Sequence, residues 1–251
     1  MQPDSILEQL IQLSHELARE DRDLAILGEG NVSADCVDGT FWVKASGAEM
    51  ATIDASGFSR VSLSAIQQLL SYDRLSDEAV EKGLLAALVD AAHRKPSVET
   101  FLHTICIAEA GARWVCHTHA GSVLKILCSR AGAQPFRRPL IPDMVVMCGA
   151  EPLIVPYLDP GFPLATGVLH ALRAYQDRRG ESPRIILMVN HGVVSMGQTA
   201  RQALNAMLMI DKWARILEGT YTFGGPNYLS DEIISRIESR PDERYRRQRL
   251  T

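Results

Sequence analysis

A single α/β domain built on a mixed or mainly antiparallel sheet is predicted by three observations. Short segments of strand composition alternate with longer segments of helical periodicity along all 251 residues, with no repeat, low-complexity tract or linker between them. Asp38-Gly39, lying between "NVSADC" and "TFWVK", is a hairpin signal that demands at least one antiparallel strand pair. With 46% hydrophobic and 22% charged residues, the chain is globular in composition and long enough for one sizeable core.

The elements follow in order. Asp4 or Ser5 is placed to cap a first helix whose Ile6, Leu10, Leu13 and Leu17 share one face. The segment "LGEGNVSADCVDGTFWVKASG" then reads as two strands flanking the Asp38-Gly39 turn. Helical patterns cover 63–71 and 77–94, and Pro96-Ser97 opens another helix with Phe101, Leu102, Ile105 and Ala108 on one face. "ARWVCHTH" is a strand, and Gly121 to Cys128 a short helix. "PLIVPY" is a strand, followed by a helix in "FPLATGVLHALRAYQDRR". "RIILMVNHGVVSM" is a strand, a turn at Asn190–Gly192 and a second strand. A long amphipathic helix, "TARQALNAMLMIDKWARILEG", ends at Gly219. The main domain is expected over residues 1–225, with a helical, basic tail over 226–251.

Composition narrows function. A formal charge of −4 and a pI near 6.0 argue against a general nucleic-acid binder, and the terminal basic run "RPDERYRRQRLT" suits a solvated or subunit-packing tail. Cys36, Cys106, Cys116, Cys128 and Cys148 form no C-x-x-C pair and read as buried free thiols of a reducing compartment. The N-terminus lacks the basic and apolar regions of a signal peptide, and no apolar run is long enough to cross a bilayer. The expectation is a cytoplasmic protein with no membrane or nucleic-acid partner.

The chemistry gathers in "RWVCHTHAGSV". In a strand, side chains two residues apart share a face, so His117 and His119 converge while Cys116 and Thr118 point away. Two imidazoles on one face at the end of a buried strand suggest half of a metal site. His191 closes "RIILMV" and precedes Gly192, where a side chain can be presented to a cleft, and is the candidate third ligand of a catalytic metal with an open position. His15, His93, His103 and His170 fall in or beside helical patterns and read as surface or core-edge residues. Glu99, in the first turn of the helix leading into the H-x-H strand, is the best-placed proton carrier, although a first-turn glutamate also suits the helix dipole. "GEGNVS" and "KASG" flank one hairpin as small-residue segments able to cradle an anion, with Lys44 adding a point charge. Neither a Walker A motif nor a G-x-S-x-G elbow occurs.

Taken in order, "GEGNVS", "WVKASG", "PSVETFLH", "HTHAGSV", "PGFPLA" and "NHGVVSMG" resemble the class II aldolase/adducin family over roughly residues 5 to 220. Within it they look most like the aldolase portion of rhamnulose-phosphate aldolase–dehydrogenase fusions. The resemblance implies a three-layer αβα sandwich and a divalent metal, usually zinc, on three histidines. It often implies a homotetramer with active sites near subunit contacts. By this resemblance His117, His119 and His191 match the metal histidines. Glu99 matches the acid/base glutamate, which can also ligate the metal when substrate is absent. Asn31, Ser46, Gly47 and Ser97 match positions that bind substrate phosphate. Two departures stand out. Fuculose-phosphate aldolases have two serines before the glutamate, where this chain has Ser97-Val98. Their proton-donating tyrosine falls in "LIPDMVVM", where Asp143 is the candidate replacement.

The implied reaction is aldol cleavage of a phosphorylated ketose to dihydroxyacetone phosphate and an aldehyde through a metal-stabilised enediolate. Histidine and carboxylate donors also accept manganese, iron or cobalt. Relatives that epimerise pentulose phosphates, dehydrate a thioribulose phosphate or decarboxylate sugar-acid phosphates offer an alternative on the same site. A non-catalytic adducin-like binding module would have no physical need for the histidine trio. An amidohydrolase-type metal hydrolase would place its H-x-H earlier in a larger barrel.

Overall fold

The computed structural model describes residues 3–243 and Tyr245. Its order is α1 (Pro3–Leu17), β1 (Asn31–Asp35), β2 (Thr40–Lys44), β3 (Phe58–Ser62), α2 (Leu63–Leu70), α3 (Asp77–Ala86), α4 (Thr100–Ala108), β4 (Trp114–Thr118) and α5 (Gly121–Leu127). There follow α6 (Pro142–Cys148), β5 (Leu153–Val155), α7 (Phe162–Arg179), β6 (Ile185–Met188), β7 (Gly192–Gly197), α8 (Ala200–Thr220) and α9 (Asp231–Ser239). The strands form one sheet in the order β3-β2-β1-β4-β7-β6-β5. Every neighbouring pair is antiparallel except β5 with β6.

Both faces of the sheet are covered, because alternate strand residues feed two separate cores. Val32, Ala34, Cys116, Leu187 and Val193 pack with Leu10 and Leu17 of α1, Val123 of α5, Met144 of α6, and Met207 and Trp213 of α8. Their strand neighbours Val43, Val61, Val115, Ile186 and Val194 pack with Ile66 of α2, Leu84 of α3, Phe101 and Ile105 of α4, and Val168 of α7. The result is the three-layer sandwich. Each fully buried valine, leucine, isoleucine, phenylalanine or methionine among these contributes about 1.5–3 kcal/mol, so both faces stabilise the sheet. On the far side of α6, Val145 and Val146 meet Ile234 and Ile237 of α9.

Register carries the candidate site residues to one end of the sheet. Asn31 at the start of β1 lies opposite His117 near the end of β4, and His117 lies opposite Val194 of β7. Lys44 ends β2, and the β6–β7 turn carries His191. Asn190 takes a left-handed φ of +56° in that tight turn, which asparagine tolerates better than most residues.

Several expectations need correction. Because α1 starts at Pro3, positions 4 and 5 lie inside its first turn, past the cap position. The pattern over 77–94 is not one helix: α3 stops at Ala86, and the chain then pairs with β3 through the Val61–Leu88 bridge. Strand β3 and helix α6 are additions, their short segments having too few residues to show a period. Pro96 is held extended by a bridge to Ala45, so α4 starts at Thr100 with Glu99 at the N-cap. Gly219 lies within α8; the left-handed residues that turn the chain are Gly224 and Gly225. Cys106, Cys116 and Cys148 are buried free thiols, but Cys36 is half-buried and Cys128 exposed. Of the tail, α9 is in place, whereas Arg244 and residues 246–251 of the basic run lie outside the described residues. Among the described residues no helix is long and apolar enough to cross a membrane.

Candidate metal centre

Strand β4 ends at Thr118, so His119 is just past it, yet both histidines of the H-x-H turn to the same place. His117 is fully buried on the α4 side of the sheet, while the Thr118 hydroxyl points the other way, toward Met207 Sδ at 3.1 Å. His119 Nε2 lies 3.2 Å from His117 Nε2. The ring of His191 sits 5.1 Å from that of His117 and 5.3 Å from that of His119, centroid to centroid. One nitrogen from each of the three rings falls within 4.8 Å of the others.

This spacing fits a shared cation. Zinc–nitrogen bonds of about 2.0–2.1 Å at the tetrahedral angle put nitrogens about 3.3–3.4 Å apart, close to the His117–His119 separation. The tautomer fits too. His117 Nδ1 is 3.1 Å from the Val193 carbonyl oxygen, to which it can only donate, so in the neutral ring the Nε2 lone pair faces the other rings. His119 Nδ1 has Glu29 Oε1 at 3.7 Å behind it.

Glu99 closes the cluster. Its carboxylate is 3.3 Å from His117 Nε2 through Oε2 and 3.1 Å from His191 Nε2 through Oε1. The local fold explains the aim. The Ser97 hydroxyl accepts from the Glu99 amide at 3.3 Å, and the Ser97 carbonyl accepts from the Thr100 amide, making a tight turn. The Glu99 side chain makes no cap of its own and is free to reach the imidazoles. Burial disfavours its charge, but the charge of His117 and hydrogen bonds from His117 and His191 outweigh that, holding the carboxyl well below the usual range. Burial likewise works against protonated His117, and the neighbouring Glu99 carboxylate outweighs it, so its pKa rises. Burial and the charges of His117 and His191 push His119 down. An ionised carboxylate among three close imidazoles is a place where positive charge is stabilised, which a divalent cation supplies as well as a proton.

The remaining candidates separate into groups. Asn31 is fully buried beside His117, and neither polar atom of its side chain has a partner among the described residues. Ser46, Gly47 and Ser97 come together because Ser46 donates its amide to Lys95 O at 2.9 Å and Ser97 donates its amide to Lys44 O at 3.3 Å. Gly47 has φ +70°, a conformation that favours glycine. Lys44 is 2% exposed, and its ammonium donates to Gly28 O at 3.2 Å and Ala48 O at 2.7 Å. It ties the two small-residue loops together, and its charge also acts on Glu99, His117 and His103. Asp143 lies in the first turn of α6, whose Met144 and Cys148 pack in the layer on the other face of the sheet from His117.

Sequence reasoning missed two neighbours. His103 is not a core-edge residue but fully buried, with Nδ1 2.6 Å from Ser33 Oγ and burial pushing its pKa down to about 3. Its position four residues after Glu99, on the same helical face, was the available signal. Glu29, inside "GEGNVS", backs His119 and carried no signal of its own.

The chain matches the family described as class II aldolase and adducin N-terminal domain over residues 8–217. YuxG of Bacillus subtilis (strain 168), named as an uncharacterised oxidoreductase, is 29% identical over 212 residues, 81% of this chain. The chain spans only 28% of the length of that relative. Among solved structures, YgbL of Klebsiella pneumoniae, named as a candidate aldolase, epimerase or decarboxylase, aligns with TM-score 0.72 at 23% identity over 94% of this chain and 99% of its own. An L-fuculose 1-phosphate aldolase aligns with TM-score 0.70 at 20% identity over 94% and 96%. At these identities the two structures speak for the fold.

Proposed function

The chain belongs to the class II aldolase/adducin family, and on that premise we propose that it cleaves a ketose phosphate to dihydroxyacetone phosphate and an aldehyde. The observation that carries this reading is the convergence of His117, His119 and His191 with Glu99 at one end of the sheet. The three histidines would hold a divalent metal, with zinc the natural choice for three imidazoles and manganese, iron or cobalt also accepted by these donors. When bound, such a metal supplies Lewis acidity toward carbonyl and hydroxyl oxygens.

The chain's own groups do the rest. Ser46, Gly47, Ser97 and Asn31 bind and orient the phosphate end, so that the bond to be broken is held beside Glu99. As the C3–C4 bond breaks, its electron pair stays on C3 as an enediolate and the C4 hydroxyl loses its proton. Glu99, ionised at rest, takes a proton from solvent and delivers it to C3 to complete dihydroxyacetone phosphate; in the synthetic direction its carboxylate removes that proton. Asp143 is the proposed group at the aldehyde oxygen. Since α6 lies in the other layer of its own chain, Asp143 would serve a neighbouring subunit's site, in keeping with a homotetramer.

A second reading keeps the site and changes the bond. Val98 stands where fuculose-phosphate aldolases have a second serine, and it is 40% exposed. A substrate such as a sugar-acid phosphate, decarboxylated or epimerised through the same kind of carbanion, would suit that change. Product analysis with a substrate panel separates aldehyde, epimer and carbon dioxide.

The direct test is proton exchange. Incubated with dihydroxyacetone phosphate in deuterated buffer, the zinc-loaded chain should wash in one deuterium at C3, read by NMR. Glu99→Gln should stop this while keeping the metal, and His117→Ala should lose the metal itself. Exchange at the parent rate in Glu99→Gln would place the base elsewhere.

A further inference from the structure

Three cations stand close to the Ser46–Gly47–Ser97 loops, and their surroundings differ. Lys44 is buried, with its ammonium on the carbonyls of Gly28 and Ala48. Lys95 is paired with Glu81 at 2.5 Å. Arg94 is exposed, and its guanidinium reaches over Ser46, donating from Nη2 to the Ser46 carbonyl at 3.4 Å. Among the described residues no carboxylate forms an ion pair with it.

The backbone around Arg94 is fixed from both sides. Its carbonyl accepts from Ser59 Oγ at 2.5 Å. Two residues on, Pro96 bridges to Ala45, and the flanking amides of Ser46 and Ser97 complete the pairing of 95–97 with 44–46. A side chain leaving residue 94 is therefore launched beside Ser46 and not into bulk solvent at random. The approach it faces is open: a Cβ built on Gly47 would meet nothing within 4 Å. At residue 98 the chain presents a valine that can offer no hydroxyl.

We infer that Arg94 provides the positive charge that recognises the phosphate group of the substrate, over the face formed by Ser46, Gly47 and Ser97. The inference rests on the sugar-phosphate reading above and adds to it a residue and a basis for specificity. A phosphate carries nearly two negative charges at neutral pH, and neutral hydroxyls and amides alone leave that charge uncompensated. Lys44, buried with two of its three donors on the loop carbonyls, cannot offer a phosphate a pair of donors while it holds both loops. Arginine can: its guanidinium stays charged and offers a planar fork of donors matched to two phosphate oxygens, and the Ser46 carbonyl engages only one of its five N–H groups. The site should then discriminate by charge, favouring phosphorylated over unphosphorylated three-carbon ketoses.

Calorimetric titration of the zinc-loaded chain with dihydroxyacetone phosphate, and separately with dihydroxyacetone, tests this. The parent should bind the phosphate ester well above the free ketone, with affinity falling as salt is raised. Arg94→Gln should lose about tenfold or more on the ester, with a shallower salt dependence, and nothing on the ketone; Arg94→Lys should fall between. Equal affinity of parent and Arg94→Gln for the ester would overturn the role of Arg94 and leave the sugar-phosphate reading standing. Equal losses on ester and ketone would also overturn it, as a general disturbance of the site. A parent that prefers neither ligand would remove the phosphate reading and Arg94 with it.

Discussion

Gly192 opens β7 directly beneath the histidines, and adding one methyl group there probes the packing of the centre. A Cβ at this position would lie 2.6 Å from the Thr118 carbonyl oxygen, 2.9 Å from His119 Cδ2 and 3.0 Å from His117 Cε1. Comfortable carbon–carbon contact begins near 3.5 Å, so both rings would have to retreat by roughly 0.5 Å. The carbonyl has less freedom, because Thr118 and Val193 are partners in the β4–β7 ladder. Gly192 does not occupy the left-handed region, so alanine is not strained by its backbone and acts through collision alone. Metal ligands need placement to about 0.5 Å, the same size as the forced displacement. Gly192→Ala should therefore lower zinc affinity by roughly 10- to 100-fold and cost about 1–3 kcal/mol of stability as overpacking. Gly28→Ala is the control, since a Cβ there meets nothing within 4 Å. Competition against a chromophoric chelator gives the affinity, and denaturation of the metal-free protein gives the stability. A Gly192→Ala protein that binds zinc like the parent and unfolds at the same denaturant concentration would refute the packing described for His117 and His119.

Two further outcomes follow from burial. The folded chain keeps His103 neutral, with its pKa pushed down to about 3, whereas the unfolded chain binds that proton near pH 6.5. Its contribution to stability is thus intact above about pH 6.5 and is lost as pH falls toward about 3, by up to about 1.4 kcal/mol per pH unit. Melting temperatures of His103→Gln should fall less steeply on acidification than those of the parent; parallel curves would remove His103 as the cause. Alkylation read by mass spectrometry should modify Cys128 quickly and Cys36 slowly. Burial pushes the Cys106 and Cys116 thiols up to about 12 and raises that of Cys148, so these three should react only on unfolding. Early labelling of Cys116 would contradict the face assignment of β4.

Much of the fold and of the centre was written locally. The two-residue spacing of His117 and His119, the capture of His191 at a strand end and the Asp38-Gly39 hairpin are all short-range patterns. They could be read because side-chain direction in a strand follows from backbone geometry alone. The apolar face of α1 and the long run of α8 were equally plain, since each repeats the helical period several times. Where segments are short, that signal fails. Strand β3 and helix α6 are too short to show a period, and 77–94 carries a helical pattern although residues 87–89 pair with β3.

Which residue types can make a metal centre, and in which segments they lie, is legible along the chain. It takes folding to bring His191 and Glu99 to the H-x-H pair, to bury His103 beside them, and to set Lys44 on two loop carbonyls while Arg94 is left exposed. These outcomes depend on strand order and on distances between residues far apart in the chain. A charge looks the same in a sequence whether its neighbours are water, a carbonyl or a carboxylate, and those neighbours determine what it can do.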